Sequence, residues 1–149
     1  MEWRPRVSYR VLIADHDPAL LESCRRFFPR HSWELAGASS GLECVVQLRR
    51  FLPHVLILEP SIPWGGGAGV LAQMRCELDV PLVPVIVLAD RRKFDALSGL
   101  LEFPVHDFAI KPLSLQNLAF KIRYAVHHLP LDSDRSSPAI RQTVSNNPF

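Results

Sequence analysis

Cysteine is scarce in this chain and never forms a CxxC: Cys24, Cys44 and Cys76 stand apart from one another. Three thiols cannot all pair within one chain, and their spacing suits neither a disulfide framework nor a zinc site, so reduced thiols inside a core are expected. Long apolar runs are missing as well. Val55–Leu58 ends after four residues, whereas a membrane helix needs about 20. The opening MEWRPRVSYR holds no apolar stretch of signal-peptide length. A soluble, cytoplasmic protein without a membrane partner is therefore expected. Charge of one sign is not in excess: 17 Lys and Arg against 15 Asp and Glu leave a net +2, too balanced for a basic field that would draw nucleic acid directly. No internal repeat, Ser-His-Asp set or Cys-His pair is visible, which makes an enzyme the least favoured class. His31, His54, His106, His127 and His128 lack metal-ligand spacing. The adjacent pair His127 and His128 would point about 100° apart on a helix, so surface positions are expected and neither a metal nor a cofactor is implied.

What the chain does have is a 48% apolar content over 149 residues, enough for one domain with a real core and too much for general disorder. Tyr9 to Ala14 is a β-branched run that reads as a first strand. Asp17 then serves as a helix N-cap with Pro18 at the first helical position, and apolar residues recur at helical spacing up to Pro29. A short strand over Trp33 to Ala36 precedes a helix capped by Ser40 that carries Leu42, Val45, Val46 and Leu48. Val55 to Leu58 and Val85 to Leu88 are continuous rather than alternating, as parallel strands covered on both faces should be. Between them, Pro60 to Gly69 reads as a turn-rich segment leading into a helix with Val70, Leu71, Met74 and Leu78. A fourth helix is predicted from about Arg91 to Glu102, a fifth strand over Val105 to Ile110, and a fifth helix from Ser114 to about Leu129. Five alternations of strand and helix predict a doubly wound α/β fold of flavodoxin-like type, with a five-stranded parallel sheet and helices on both faces. Residues 1–8 read as an N-terminal extension, 9–129 as the domain, and 130–149, rich in Ser, Pro, Asn and Asp, as a flexible tail or linker stub.

In such a sheet the functional crevice lies beyond the carboxyl ends of the strands. The residues there are Asp15, His16, Asp17, Glu59, Ala89 and Lys111. Converging carboxylates and a lysine would suit a cation or a phosphoryl group, although charges at strand ends are also commonly a solvated rim.

The segments VLIADHDP, LILEPSIP, VIVLAD and DFAIKP, in this order, resemble the receiver domains of two-component response regulators over about residues 9 to 129. Glu59 lies 44 residues after Asp15, Ala89 30 further on and Lys111 22 beyond that, with Phe108 where that family keeps its switch aromatic. The resemblance implies a CheY-like receiver fold and a place in phosphorelay signalling. It also implies an aspartate that accepts a phosphoryl group with the help of magnesium, an acidic pair that binds the metal, and a Ser or Thr that follows the phosphoryl group. This chain departs at each of these. Glu59 replaces the phosphoacceptor aspartate and carries its carboxylate one methylene further than near-attack geometry tolerates. His16 replaces an acidic magnesium ligand, and imidazole is a poor partner for a hard cation. Ala89 replaces the hydroxyl, which removes a charge-assisted hydrogen bond of roughly 1.5–3 kcal/mol. Of the resembled set, Asp15 and Lys111 remain. The reading that follows is an atypical receiver, or pseudo-receiver, that is not phosphorylated and acts as a phosphorylation-independent protein-interaction module.

Two alternatives accompany it. Glu59 could mimic the phosphorylated state by pairing with Lys111, or the crevice could hold a small ligand or cofactor as other flavodoxin-like domains do. The second is disfavoured because Asp15-His16-Asp17 stands where a phosphate-binding loop would be. Trp64-Gly65-Gly66-Gly67-Ala68-Gly69 lacks the Lys-Ser/Thr of a P-loop and reads as a flexible loop, with Trp64 placed to cover the pocket or meet a partner. The partner is expected to be a signalling protein or a second copy of the chain. On helix five, Leu118, Ala119, Ile122, Val126 and Leu129 form the core stripe, while Phe120 and Tyr124 project about 140° and 180° away from Leu115. Helix four is two-sided, with Ala96, Leu100 and Phe103 on one stripe and Phe94, Leu97 and Leu101 on the other. The expected docking face is Phe94, Leu97, Leu101, Phe120 and Tyr124, since exposed aromatics anchor interfaces.

Overall fold

The computed structural model describes residues 8–100 and 102–128. The expected N-terminal extension (apart from Ser8), Leu101, Leu129 and the 130–149 tail lie outside the described residues.

β1, β3 and β4 form where β-branched and aliphatic residues run together, and every strand is followed by a helix. The order is β1 (Arg10–Ala14), α1 (Pro18–Phe27), β2 (Glu34–Ala38), α2 (Gly41–Phe51), β3 (Val55–Leu58), α3 (Gly66–Cys76), β4 (Val85–Ala89), α4 (Phe94–Ser98), β5 (Asp107–Ile110) and α5 (Leu115–His128). The strands make one parallel sheet in the order β2-β1-β3-β4-β5, the doubly wound arrangement expected from the sequence.

The continuous apolar strands are explained by cores on both faces. Val55 and Ile57 point to one side with Val11, Ile13, Ile86, Leu88 and the inward faces of α1 and α5. Leu56 and Leu58 point to the other, with Leu12, Val85, Val87 and the inward faces of α2 and α3. A strand with a period of two can be apolar throughout only when both faces are covered. Leu118, Ala119, Ile122 and Val126 bury as the stripe on α5 requires, joined by Ala125. Capping residues place the helix starts: Asp17 Oδ1 accepts from the Ala19 N–H at 2.9 Å, and Ser40 Oγ accepts from the Glu43 N–H at 3.1 Å.

Several expectations are corrected. Helix α4 is five residues long rather than twelve and has no buried residue. Its start is displaced by the Asp90 carboxylate, which accepts from the Arg92 N–H at 3.0 Å and holds a turn there. Its end is drawn in by Ser98 Oγ, which donates back to the Asp95 carbonyl at 2.7 Å, next to Gly99, a poor helix former. Helix α3 begins inside the glycine run, because Gly65 (φ 95°) and Gly66 (φ 65°) take left-handed conformations that turn the chain into it. It ends at Cys76, which leaves Cys76 and Leu78 exposed rather than in the core. Leu42 and Val46 likewise lie on the outer face of α2.

Two histidines expected merely at the surface have structural work. His54, just before β3, donates its backbone N–H to the Arg10 carbonyl and accepts the Arg10 N–H on Nδ1. His106, just before β5, does the same with Val85. Each side chain completes the first rung of a parallel ladder where a strand has yet to begin.

Candidate functional site

Beyond the carboxyl ends of β1, β3 and β5 the structure brings together Asp15, His16, Glu59 and Lys111. Asp15 is fully buried at the end of β1. Its Oδ1 accepts from the Asp17 N–H at 2.9 Å, and its Oδ2 lies 2.7 Å from Lys111 Nζ. Among the described residues Oδ2 has no hydrogen-bond partner, and the Lys111 ammonium is its counter-charge. Lys111 follows β5, where its backbone N–H donates to the Ala89 carbonyl at 2.8 Å, and a cis peptide joins it to Pro112.

Glu59, at the end of β3, is 1% exposed. Both of its carboxylate oxygens lie 2.8 Å from Ser61 Oγ, and Oε2 is 3.4 Å from His16 Nδ1. The mimic expected from a Glu59–Lys111 pairing is not what forms: the ion pair of Lys111 falls to Asp15, and Glu59 meets Ser61 and His16. Ala89 ends β4 beside the pocket with no polar side-chain atom to offer. Asp17 does not join the cluster. Its carboxylate turns away to cap α1, so of the two roles the sequence offers it, the cap is the one it plays.

Sequence reasoning missed two members. Ser61, two residues past Glu59, donates into the buried carboxylate, and Lys93, at the N-cap of α4, donates to Ser61 Oγ at 3.3 Å while lying 3.5 Å from His16 Nε2. A hydroxyl immediately after a strand-end carboxylate was the available signal for Ser61. For Lys93 there was none, since only the fold carries it across.

Magnesium, which the family implies, takes about six oxygens, one or two from carboxylates and the rest largely from water. Here Asp15 Oδ1 accepts from the Asp17 N–H and its Oδ2 lies against the Lys111 ammonium, Asp17 Oδ1 accepts from the Ala19 N–H, and the Glu59 carboxylate shares the one Ser61 hydroxyl. Where the resemblance places the second acidic ligand stands His16, and imidazole is a poor partner for a hard cation. Next to the cluster, a groove of about 580 Å³ runs between the start of α1, the Asp90-Arg91-Arg92 turn and Pro112-Leu113. Trp64 does not seal the pocket: it has φ 59° and the residue is 74% exposed.

On the far side of α4, the expected docking residues divide. Phe94, Phe120 and Tyr124 are exposed, as is the switch-position Phe108, joined by Ile110, which was not anticipated. Leu97 is instead half-buried against the α2–α3 core, beside Leu100 and Phe103, and Leu101 lies outside the described residues.

Among the described residues no helix is long and apolar enough to cross a membrane. The chain is 26% identical over 140 residues to the response regulator MprA of Mycobacterium ulcerans, covering 94% of this chain and 60% of that protein. It is 27% identical over 114 residues to the probable transcriptional regulator ycf27 of Porphyra purpurea, covering 76% and 46%. It therefore spans about half to three fifths of the length of these curated relatives. Its fold is that of a response regulator signal receiver domain from Bermanella marisrubri (TM-score 0.69, 23% identity, 81% of this chain and all of that one). It also matches the receiver domain of a sensor histidine kinase from Pseudomonas aeruginosa PAO1 that holds magnesium in its active-site cleft (TM-score 0.71, 14% identity, 80% and 98%). The profile of the response regulator receiver domain family matches residues 11–123, and with fold, strand-end cluster and profile in agreement, the chain belongs to that family of two-component signalling domains.

Proposed function

We propose that this receiver domain takes no phosphoryl group and works as a phosphorylation-independent protein-interaction module in the cytoplasm, with no enzymatic activity of its own. The observation that carries the reading is Glu59. At the position where the family keeps its phosphoacceptor aspartate, a longer carboxylate is closed inside the pocket, with both oxygens 2.8 Å from the one Ser61 hydroxyl and one facing His16. An attacking oxygen must be free and in line with the phosphorus; this carboxylate is engaged by Ser61 and is one methylene longer than the aspartate it replaces. Two further features support the reading: the oxygens that would ligate magnesium are engaged elsewhere, and Ala89 has no hydroxyl to answer a phosphoryl group.

What remains for function is surface. Phe94, Phe108, Ile110, Phe120 and Tyr124 are exposed apolar side chains on α4, β5 and α5, and the module would bind a signalling protein or a second copy of itself there. Incubation with acetyl phosphate or a phosphorylated histidine kinase, with magnesium, should leave the intact mass unchanged. A phosphoryl adduct on any pocket residue overturns the reading. Glu59→Asp alone should not restore transfer, because His16 and Ala89 would still be in place.

A further inference from the structure

The Lys93 ammonium has only protons to offer, and this fixes the direction of its side-chain hydrogen bonds. Ser61 accepts from Lys93 at 3.3 Å and passes its own hydroxyl proton to Glu59 at 2.8 Å. His16 lies beside this chain, with Nε2 3.5 Å from the same ammonium and Nδ1 3.4 Å from Glu59 Oε2. A hydrogen-bonded chain therefore runs from the cation at the start of α4 through the β3–α3 connection to the buried carboxylate at the end of β3, and the imidazole of the β1–α1 connection bridges the same two charges at contact distance.

We propose that the Lys93–Ser61–Glu59 chain, with His16 packed between Lys93 and Glu59, is a standing latch that fixes the start of α4 without any phosphoryl group. The proposal rests on the reading that the pocket is not phosphorylated. In a pocket where Ala89 has no hydroxyl, the latch is the polar route by which the end of β3 reaches the β4–α4 connection. Helix α4 needs such a tie. It is five residues long, fully buries none of them and reaches the core only through half-buried Leu97, and the Asp90–Arg92 contacts just before it are local to their own turn. Phe94 follows Lys93 directly, so the latch also sets where that aromatic stands among the exposed apolar side chains. Lys93, Ser61 and His16 are positioning residues in this scheme, and Glu59 is the anchor.

The test is amide hydrogen exchange and backbone amide shifts of residues 93–100, with β1 and β3 as internal reference, in Lys93→Met, Lys93→Arg and the double variant Ser61→Ala with His16→Ala. Lys93→Met removes the chain and the His16 contact from one end and the double variant removes them from the other, so both should speed exchange around α4 by a similar factor, about fivefold or more. Their β1 and β3 amides should stay unchanged. Lys93→Arg keeps a cationic donor and should restore the wild-type pattern. Wild-type exchange and shifts in Lys93→Met, or loosening that spreads equally to β1 and β3, overturn the latch. The intact mass of the wild-type sample after treatment with acetyl phosphate and magnesium separates the two ideas. An unchanged mass with an unmoved α4 sinks the latch alone, and a phosphoryl adduct sinks the reading beneath it.

Discussion

Lys111→Met removes an ammonium while keeping most of the aliphatic stem, and it leaves Asp15 buried with one oxygen bare. Asp15 is fully buried and Lys111 is 19% exposed. Breaking a buried ion pair by deleting one partner costs about 3–5 kcal/mol, and the partial exposure of Lys111 places this pair at the low end, about 3 kcal/mol. For a domain of this size that lowers the melting temperature by about 6–12 °C. The loss should be mostly the isolated carboxylate rather than missing attraction, so Asp15→Asn with Lys111→Met should recover about 2 kcal/mol relative to additive single changes. The Asn oxygen can still accept from the Asp17 N–H, which keeps the β1–α1 turn intact. Urea unfolding of wild type, both single variants and the double variant, followed by circular dichroism at pH 7, measures the cycle. A coupling below about 0.5 kcal/mol, or a Lys111→Met variant within about 1 kcal/mol of wild type, would refute the assignment of Lys111 as the counter-charge of Asp15.

Burial pushes the Cys24 and Cys44 thiols up from 9.0 to about 12, with Asp15 and Glu43 adding to the respective shifts; a thiol reagent at neutral pH should therefore label Cys76 alone in the folded protein and all three cysteines in urea. Because the protonated thiols are favoured in the fold, their contribution to stability is complete below pH 9 and is lost as pH rises from 9 toward 12, so a melting temperature flat across that interval contradicts the burial of both. Gly41→Ala should destabilise by about 2 kcal/mol or more and shift Trp64 fluorescence, since a Cβ at Gly41 would overlap the Trp64 backbone carbonyl; a variant as stable as wild type places that loop elsewhere. Phe120→Ser with Tyr124→Ser removes two aromatics that are 69% and 55% exposed and should leave folding intact while weakening self-association or partner capture; if sedimentation and capture are both unchanged, α5 is not the docking helix.

The strand-end cluster was readable because its members sit at fixed points of a local grammar. VLIL and VIVL stop abruptly at Glu59 and just before Ala89, Asp17-Pro18 announces a helix start, and IKP puts a lysine at the last strand end. The elements followed for the same reason, since continuous apolar runs demand cover on both faces. What escaped was set by contacts between distant segments. Lys93 enters the pocket only because β4 lies beside β3, 32 residues away from Ser61 in sequence. The length of α4 was misread because its apolar residues allow two helical stripes, while the Asp90–Arg92 turn and the Ser98 back-bond decide how much helix forms. Leu42, Val46 and Leu78 show the same limit: periodicity gives a face its residues, and tertiary cover decides which of them meet water.

Strand β5 forms one border of the sheet, and open borders invite other chains to add strands and aggregate. This one carries two apolar side chains outward, Phe108 and Ile110, yet it is only four residues long. Asp107, paired with Lys121 of α5 at 3.0 Å, puts charge at its beginning, and Pro112, which has no N–H to donate, follows within two residues of its end. An incoming strand would find too few consecutive rungs to zip onto. The border can thus display apolar side chains to a partner that recognises them from the side-chain face, while refusing the backbone pairing by which a sticky edge grows into a fibre.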